Sequence, residues 1–355
     1  MLVLLAAAYL VLSFYPSFGG EPDEQSMARI EKSAAWDGEK FVNPEPTFIQ
    51  AGDNMPSLGE WIFTMISPPA GKNPSAPLPS VKFDAAALQN LKFAWFGHSS
   101  VIFKLEEKVI LTDPVFYRAS PLPIGGAPFE YEQTPKISQL PHIDVVLISH
   151  DHYDHLDYKA IRELDEKVGL YLVPLGVRAH LLRWGVQDGK IIEFDLKQSQ
   201  DIDGLRFTLE PARHFSGRRL RSNNPTLWGS WVVQTPSFSV FFGDDSGYGA
   251  HYEAIAQKYG EFDLVMLENG AYDENWAQIH AFPEQTAQIA SQLQDKALLP
   301  IHWAKFDLAY HPWQEPMQRL YATSRGRNYV LVTPKIGEVF DLQNPPQKRW
   351  WEDAK

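Results

Sequence analysis

The stretch Ile143–Asp157 reads IDVVLISHDHYDHLD, and the interpretation of the whole chain starts from it. Its first half is apolar apart from one aspartate, is mostly β-branched and has no helical polar stripe, which predicts a buried strand. His150, His152, Asp154 and His155 follow within six residues. Imidazole nitrogen and carboxylate oxygen are the ligands that zinc takes where no thiolate is available. The sequence therefore predicts a divalent metal site at the end of this strand.

The spacing of these ligands favours two ions. Side chains at i and i+2 that leave a strand end can converge on one ion, and a turn then brings i+4 and i+5 to a second. The pattern H-x-H-x-D-H from His150 to His155 resembles the signature of the metallo-β-lactamase superfamily. That resemblance implies an α/β fold, a four-layer αββα sandwich with metals at one sheet edge, and three further ligands in the order His, bridging Asp, His. A histidine-rich surface turn without ligands is the alternative.

Three later positions supply the ligands that the resemblance requires. His214 and His302 each follow a predicted apolar strand, and Asp245 stands in the turn GDDSG that begins at Gly243. The family pattern G-D-[ST]-G aligns Asp245 with the bridging ligand and leaves Asp244 where glycine is usual. The implied set is His150, His152 and His214 for one zinc ion, and Asp154, His155 and His302 for the other, with Asp245 between them.

Further segments narrow the resemblance to the N-acylphosphatidylethanolamine phospholipase D branch of this superfamily, over about Leu91 to Glu315. They are Trp95–Ser100 (WFGHSS), Leu111–Pro114 (LTDP), Leu227–Trp231 (LWGSW), Gln278–Glu284 (QIHAFPE) and Ile301–Trp303 (IHW). In that branch two zinc ions cleave the phosphodiester on the headgroup side of a membrane lipid. The resemblance therefore implies two zinc ions as cofactors, and a phospholipid or other anionic phosphodiester and a membrane surface as partners.

Two residues outside the ligand set are expected to support it. Asp113 ends the predicted strand Lys108–Thr112. We predict that it orients a ligand histidine, because the second nitrogen of a metal-bound imidazole is usually held by a carboxylate or carbonyl. An ordinary turn aspartate is the alternative. His98 is expected to support the site structurally.

Other side chains are predicted to act on the substrate. Asp154 and His280 are the expected catalytic residues. The resemblance implies the role of His280, which corresponds to a non-ligand histidine near the metals in that branch. We expect His280 to stabilise the substrate phosphate or the leaving group. Arg218 lies in the basic segment Arg213–Arg221, whose guanidinium groups match phosphate oxygens. Arg218 and His311 are predicted to bind substrate. For His280 the alternative is a helix-capping histidine, and for the basic segment it is a solvated loop.

Composition limits the classes of partner and chemistry. The chain has 355 residues, 44% of them hydrophobic, and a formal net charge of −12. An acidic chain is unsuited to nucleic acid, because phosphate backbones need clustered Lys and Arg. The sequence contains 0 cysteines, which excludes disulfides and thiolate-bound metal.

Three regions are predicted along the chain. Residues 1–19 are apolar and are expected to be a signal sequence or membrane anchor, so that the protein is membrane-anchored or exported with its catalytic domain in the periplasm. A buried N-terminal helix is the alternative. Residues 20–90 are rich in Pro and Gly and are predicted to be an extension packed on the main domain. Residues 91–345 form the predicted catalytic domain.

The sequence thus predicts a dinuclear zinc-dependent hydrolase. The preferred activity is a phosphodiesterase of phospholipase D type, acting on a phospholipid such as an N-acylphosphatidylethanolamine, with a hydroxide shared by the two metals as nucleophile. A lactonase or β-lactamase-type hydrolase of a carbonyl substrate uses the same centre and is the first alternative. A non-enzymatic, metal-stabilised binding or envelope protein is the second. Manganese and iron accept the same ligands as zinc.

Overall fold

Two seven-stranded β-sheets form the centre of the computed structural model, which describes residues 15–50, 70–219 and 224–354. In chain order the strands are β1 (Lys92–Trp95), β2 (Val101–Leu105), β3 (Lys108–Thr112), β4 (Ile143–Leu147), β5 (Val168–Pro174), β6 (Ile191–Phe194), β7 (Ser199–Ile202), β8 (Leu205–Glu210), β9 (Ser230–Gln234), β10 (Ser239–Asp244), β11 (Leu264–Glu268), β12 (Ala297–Ile301), β13 (Val330–Leu331) and β14 (Val339–Asp341). The helices are α1 (Glu24–Ile30), α2 (Tyr158–Leu164), α3 (Arg178–Arg183), α4 (His251–Tyr259), α5 (Pro283–Gln292), α6 (Glu315–Ser324) and α7 (Trp350–Asp353).

Each sheet combines an antiparallel part with a parallel part. The first has the order β14-β1-β2-β3-β4-β5-β6 and the second β13-β12-β11-β10-β9-β8-β7. A two-residue turn joins β2 to β3, and its residues Glu106 and Glu107 have φ angles of 46° and 64°. Positive φ at both positions is what a tight hairpin with the right-handed strand twist requires. From β3 to β6, and from β10 to β13, the strands are parallel.

The sheets are buried on both faces. In β1, Phe93 and Trp95 belong to the hydrophobic cluster shared with the second sheet. Ala94 belongs to a second cluster, which lies with α2 and α3 on the other face of the first sheet. This alternation follows from the two-residue period of a strand, which sends neighbouring side chains to opposite faces. Helix α5 contacts β11 of the second sheet. The predicted αββα sandwich is confirmed.

Strand direction explains why distant parts of the sequence meet. Strand β8 is antiparallel to β9, and β9 is antiparallel to β10, so β8 and β10 point the same way. Strand β12 also runs parallel to this direction through β11. The carboxyl ends of β8, β10 and β12 therefore lie at one edge of the second sheet, and the loops that follow them carry His214, Asp245 and His302.

Helix α2 begins later than the sequence pattern suggests. A helix starting at Asp154 is expected from the carboxylates there, but α2 starts at Tyr158. Its N-cap is Asp157, whose side chain accepts hydrogen bonds from the backbone N–H groups of Lys159 and Ala160. The intervening residues instead form the loop that holds Asp154 and His155.

The region before β1 packs into the same core as the sheets. Ile30, Phe41 and Leu78 are each 0% exposed and belong to the cluster that contains Trp95. Phe41 is also fixed by its backbone, because its N–H donates to the carbonyl of Asn224 at 3.0 Å. The described residues before β1 thus contribute side chains to the core between the two sheets.

The prediction of a membrane-anchored or exported protein needs correction. Residues 1–14 of the predicted anchor lie outside the described residues. Its end, Pro16–Phe18, is a short 3-10 helix in which Ser17 and Phe18 are buried, and the Trp184 indole donates to the Pro16 carbonyl at 2.7 Å. Across 15–50, 70–219 and 224–354, no helix has the length and apolar character needed to cross a membrane. The end of the predicted anchor is thus packed against the described structure.

Candidate metal centre

Asp245 lies at the centre of a cluster of buried histidines. Its Oδ2 atom is 3.1 Å from His155 Nε2, 3.0 Å from His302 Nε2, 3.7 Å from His214 Nε2 and 4.0 Å from His150 Nε2. Burial alone would raise the pKa of Asp245, but the neighbouring His155 and His302 hold it well below its usual range. An ionised carboxylate therefore stands between imidazoles that reach it from two sides.

The first group of ligand candidates consists of His150, His152 and His214. Their ring nitrogens all lie within 4.8 Å of one another. His152 Nδ1 is 2.9 Å from His150 Nε2 and 3.3 Å from His214 Nε2. Burial lowers the pKa of His152 to about 3 and that of His214 well below its ordinary value. These two imidazoles are therefore neutral at physiological pH, the form that binds a metal ion.

The second group brings Asp154 together with three histidines. Asp154 Oδ2 is 3.3 Å from His155 Nε2, 3.4 Å from His302 Nε2 and 3.1 Å from His98 Nε2. The His98 ring also lies over His302, with ring centroids 4.0 Å apart. His98 thus contacts both Asp154 and His302, which places it closer to the candidate ligands than the sequence alone could show.

The donor set fits divalent metal ions. His155 Nε2 and His302 Nε2 lie close to Asp245 Oδ2 but not in hydrogen-bonding geometry with it. Together with Asp245 Oδ1 they are buried atoms without a hydrogen-bond partner among the described residues. Buried polar atoms without partners are costly, so such atoms usually face an ion, a water or a ligand. Each of the two groups offers at least three nitrogen or oxygen ligands, which is the number found in catalytic zinc sites.

Two carboxylates turn the histidines towards the centre. Asp113 Oδ2 lies 2.9 Å from His155 Nδ1, and the carboxylate also accepts a hydrogen bond from the Ser149 N–H at 2.9 Å. Asp244 Oδ2 lies 3.0 Å from His150 Nδ1. Both contacts leave the Nε2 atom of the ring facing Asp245, and the Asp113 contact is the one on which its predicted orienting role depends.

Asp244 has a role that the sequence did not reveal. Its φ angle is 48°, in the left-handed region where glycine is favoured and aspartate is tolerated. This backbone explains why the family pattern has glycine at this position. It also points Asp244 and Asp245 in different directions, so that one orients His150 while the other faces the centre.

His280 is held at the rim of the centre by Glu268. His280 Nδ1 lies 2.7 Å from Glu268 Oε2, and Glu268 Oε1 accepts backbone N–H groups of Ser246 and Ala281, each at 2.8 Å. The His280 ring is 5.1 Å from the His214 ring, centroid to centroid. Glu268 was missed from the sequence, although an acidic residue that ends an apolar strand is the same signal that marked the other ligand loops.

A cavity of about 280 Å³ opens over these residues. Its lining consists of Ile49, Gln50, His152, Asp154, Phe215, Asp245, Ala271, Trp276, Ile279, His280, His302 and Leu308. The lining includes candidate metal ligands and His280, and none of these described residues is a lysine or arginine.

The position of Arg218 does not fit its predicted role in binding the substrate phosphate. Its guanidinium donates to the carbonyls of Asp151 at 2.5 Å, Leu156 at 2.8 Å and Ser17 at 2.9 Å. The side chain is buried beneath the loop that carries His152, away from the cavity. Arg218 therefore holds the backbone of the loop 151–156, here called the metal loop because it carries His152, Asp154 and His155.

Other cations of the basic segment are also used internally. Arg213 donates to Thr47 Oγ1 and to the Pro46 carbonyl, each at 3.0 Å. Arg219 pairs with Glu21, and Arg221 lies outside the described residues. Sequence reasoning could not distinguish these pairs from a free basic patch, because their partners come from residues more than 160 positions away.

His311 lies beside the cavity and not in it. Its ring stacks on Tyr272, with centroids 4.3 Å apart. It lines a narrow neighbouring pocket that shares Ala271, His302 and Leu308 with the cavity. The predicted substrate contact of His311 stays a prediction.

The fold is an αββα sandwich, and His and Asp candidates for metal binding cluster at one sheet edge. This combination defines a metal-dependent hydrolase of the metallo-β-lactamase type. Comparison with known families agrees, because residues 108–303 match the model described as Beta-lactamase superfamily domain. The chain belongs to this superfamily. The non-enzymatic alternative considered from the sequence is thereby set aside.

Several relatives share much of the chain. An uncharacterised protein of Mycobacterium tuberculosis is 36% identical over 98% of this chain and 96% of its own length. The N-acyl-phosphatidylethanolamine-hydrolyzing phospholipase D 1 of Caenorhabditis elegans is 28% identical over 70% of this chain and 75% of that protein. A metal-dependent hydrolase of Pyrobaculum neutrophilum is 26% identical over 71% of this chain and 100% of that protein.

Among solved structures, a metallo hydrolase of Ignicoccus hospitalis aligns with a TM-score of 0.52 and 20% identity, over 71% of this chain and 98% of that chain. At that level of identity the likeness concerns the fold alone.

Proposed function

We propose that this chain is a dinuclear zinc-dependent phosphodiesterase of phospholipase D type that acts on a phospholipid such as an N-acylphosphatidylethanolamine. The observation that carries the proposal is the position of Asp245, whose Oδ2 lies within 4.0 Å of the Nε2 atoms of four histidines drawn from both ligand groups. The substrate class is supported by the relative of Caenorhabditis elegans that is named for this reaction.

The ligand groups would divide between two ions. His150, His152 and His214 would hold one, while Asp154, His155 and His302 would hold the other, and Asp245 would reach both. Zinc ions bound there would supply an activated water as the nucleophile and would stabilise the negative charge that develops at phosphorus. Asp113 and Asp244 would keep His155 and His150 in the orientation that this requires.

His280 would serve the leaving group. Its Nδ1 faces Glu268, so the Nε2 atom is the ring nitrogen left to face the cavity. As the new oxygen–phosphorus bond forms and the bond to the headgroup alcohol breaks, a proton from His280 would go to the departing alkoxide. Glu268 would hold the ring in place, through a contact of 2.7 Å.

A carbonyl substrate is the second candidate. The cavity lining contains no lysine or arginine among the described residues, so the side-chain cations that would match a phosphate are not found there. With Arg213, Arg218 and Arg219 occupied by internal contacts, binding of the phosphate would depend on the metal ions. A lactone or β-lactam would need no such cations.

The test compares substrates on the zinc-loaded full chain. Bis(p-nitrophenyl) phosphate, an N-acylphosphatidylethanolamine, a lactone and a β-lactam are assayed with wild type, Asp245→Ala and His280→Ala. We expect phosphodiester turnover that Asp245→Ala abolishes and His280→Ala reduces by about 100-fold. His142→Ala is the matched control, because His142 is an exposed histidine just before β4.

Isotope labelling identifies the bond that breaks. In ¹⁸O-water, cleavage at phosphorus places the label in the phosphatidic acid and leaves the N-acylethanolamine unlabelled. Turnover of only the lactone or the β-lactam would overturn the phosphodiesterase proposal and support the carbonyl alternative.

A further inference from the structure

The backbone of His214 lies beyond the reach of the sheet. Strand β8 ends at Glu210, so its hydrogen-bond ladder does not extend to His214 four residues later. The imidazole is held by its Nδ1 atom, 2.9 Å from the Ile279 carbonyl. Something else must fix the main chain if the ring is to meet His150 and His152 reproducibly.

Asn43 supplies that contact from the segment before β1. Its side-chain amide donates to the His214 carbonyl at 2.8 Å and accepts the His214 N–H at 3.1 Å. The same Asn43 oxygen also accepts the indole N–H of Trp228 at 3.3 Å. One side chain therefore satisfies both backbone groups of a candidate ligand that lies 171 residues away.

The rest of the segment continues from this clamp to the substrate cavity. Arg213, next to His214, donates to the Pro46 carbonyl at 3.0 Å and to Gln278 Oε1 at 3.0 Å. The same Gln278 oxygen accepts the Phe48 N–H at 2.8 Å. The two residues that follow, Ile49 and Gln50, line the cavity beside His152 and His280. The segment is thus hydrogen-bonded to the His214 loop at two places, Asn43 and Pro46, before it reaches the cavity.

We propose that Asn43 is a positioning residue of the metal centre, through which residues 41–50 fix His214 and form one wall of the substrate cavity. The inference rests on the proposed function, because it takes His214 as a ligand of one of two ions. It makes a selective prediction: loss of the Asn43 clamp weakens the ion held by His150, His152 and His214, and spares the ion held by Asp154, His155 and His302.

Asn224 provides a matched control on the same two segments. Its amide donates to the Phe41 carbonyl and accepts the Ser216 N–H, each at 3.1 Å, without touching His214. Its φ angle is 51°, so Asn224→Ala adds backbone strain to the loss of these bonds. This variant removes side-chain bonds between the same two segments and leaves both Asn43 contacts to His214 in place.

The experiment is a cobalt(II) titration of the metal-free full chain, followed by visible absorption and by competition with a chelator. Wild type should take up two equivalents. Asn43→Ala should keep one tight equivalent and bind the other about tenfold more weakly, with a changed ligand-field spectrum. Asn224→Ala should bind both equivalents as wild type does. If Asn43→Ala fails to fold, Asn43→Asp keeps the side-chain shape and the acceptor for the His214 N–H, but it replaces the donor to the His214 carbonyl with a carboxylate oxygen.

The outcomes separate this inference from the proposed function. A wild-type titration of two equivalents that His214→Ala changes, but Asn43→Ala leaves unchanged, overturns the positioning role alone. The same holds if Asn43→Ala weakens both ions equally, or if Asn224→Ala reproduces its effect. A wild-type chain that binds fewer than two ions, or a His214→Ala chain that titrates like wild type, overturns the metal assignment and the inference with it.

Discussion

Asp295 is buried, and its carboxyl group has no hydrogen-bond partner among the described residues. We expect this group to lower the stability of the folded chain as the pH rises. It lies between α5 and β12, is 2% exposed, and neither of its carboxyl oxygens has a hydrogen-bond partner there. Burial raises the pKa of Asp295 from 3.8 to about 8, because the charged form loses its hydration. We predict that Asp295→Asn stabilises the protein at pH 8 and has little effect near pH 4.

The sign follows from proton binding. A carboxyl group whose pKa is raised in the folded state keeps a proton that the unfolded chain has released, so its contribution to stability falls as the pH rises from about 4 to about 8. Each pKa unit is about 1.4 kcal/mol, which sets a ceiling on the order of 5 kcal/mol for the loss at pH 8. Relaxation and water entry reduce such penalties, and we expect about 2 kcal/mol.

The assay is urea and thermal unfolding of both proteins between pH 4 and pH 8. The variant should melt on the order of 3 °C higher at pH 8, and the difference should vanish towards pH 4. Asp263→Asn is the matched control, because Asp263 is ion-paired with Lys296 at 2.8 Å and its loss should destabilise. A difference between wild type and Asp295→Asn that does not change with pH would refute the reasoning.

Two further predictions concern the metal centre and its loop. Chelation of the metals should lower the melting temperature of wild type by several degrees, since a ligand at a thousandfold excess over Kd adds about 4 kcal/mol. Asp245→Ala should lose most of this response, and a wild type indifferent to the chelator would contradict the metal assignment. Arg218→Lys should lower the free energy of unfolding by about 2 kcal/mol, because a single ammonium cannot span the carbonyls of Ser17, Asp151 and Leu156. Its KM should be unchanged; a raised KM with unaltered urea unfolding would restore a substrate-binding role.

The loop after β4 shows how much local sequence can determine. An apolar strand followed by H-x-H-x-D-H places four ligand candidates within a few bonds of a strand end, and short-range geometry then limits where they can point. His214, Asp245 and His302 were expected from the family resemblance. Each follows a strand end, and the same logic places these ends together, because parallel strands present their carboxyl ends at one edge. The choice of Asp245 over Asp244 came from the family pattern, and the structure turns the two side chains in different directions.

The basic segment shows where that logic ends. Charge counted along the chain predicts a phosphate site, but the number of arginines does not say what each guanidinium meets. Arg218 donates to carbonyls of the metal loop and of Ser17, and Arg213 donates to Thr47. These partners are brought together only when the segment before β1 packs on the sheets.

For this protein, the sequence alone indicated the ligand types and the strand ends that carry them, because those properties depend on patterns a few residues long. The fold class followed from the resemblance of those patterns to a known family. Tertiary structure decided which polar side chains serve the centre and which serve the backbone. Glu268 reaches His280, and Asn43 reaches His214, across 12 and 171 positions of sequence. Hydrogen bonds act over about 3 Å in space, whatever the separation along the chain, so only the folded arrangement can assign them.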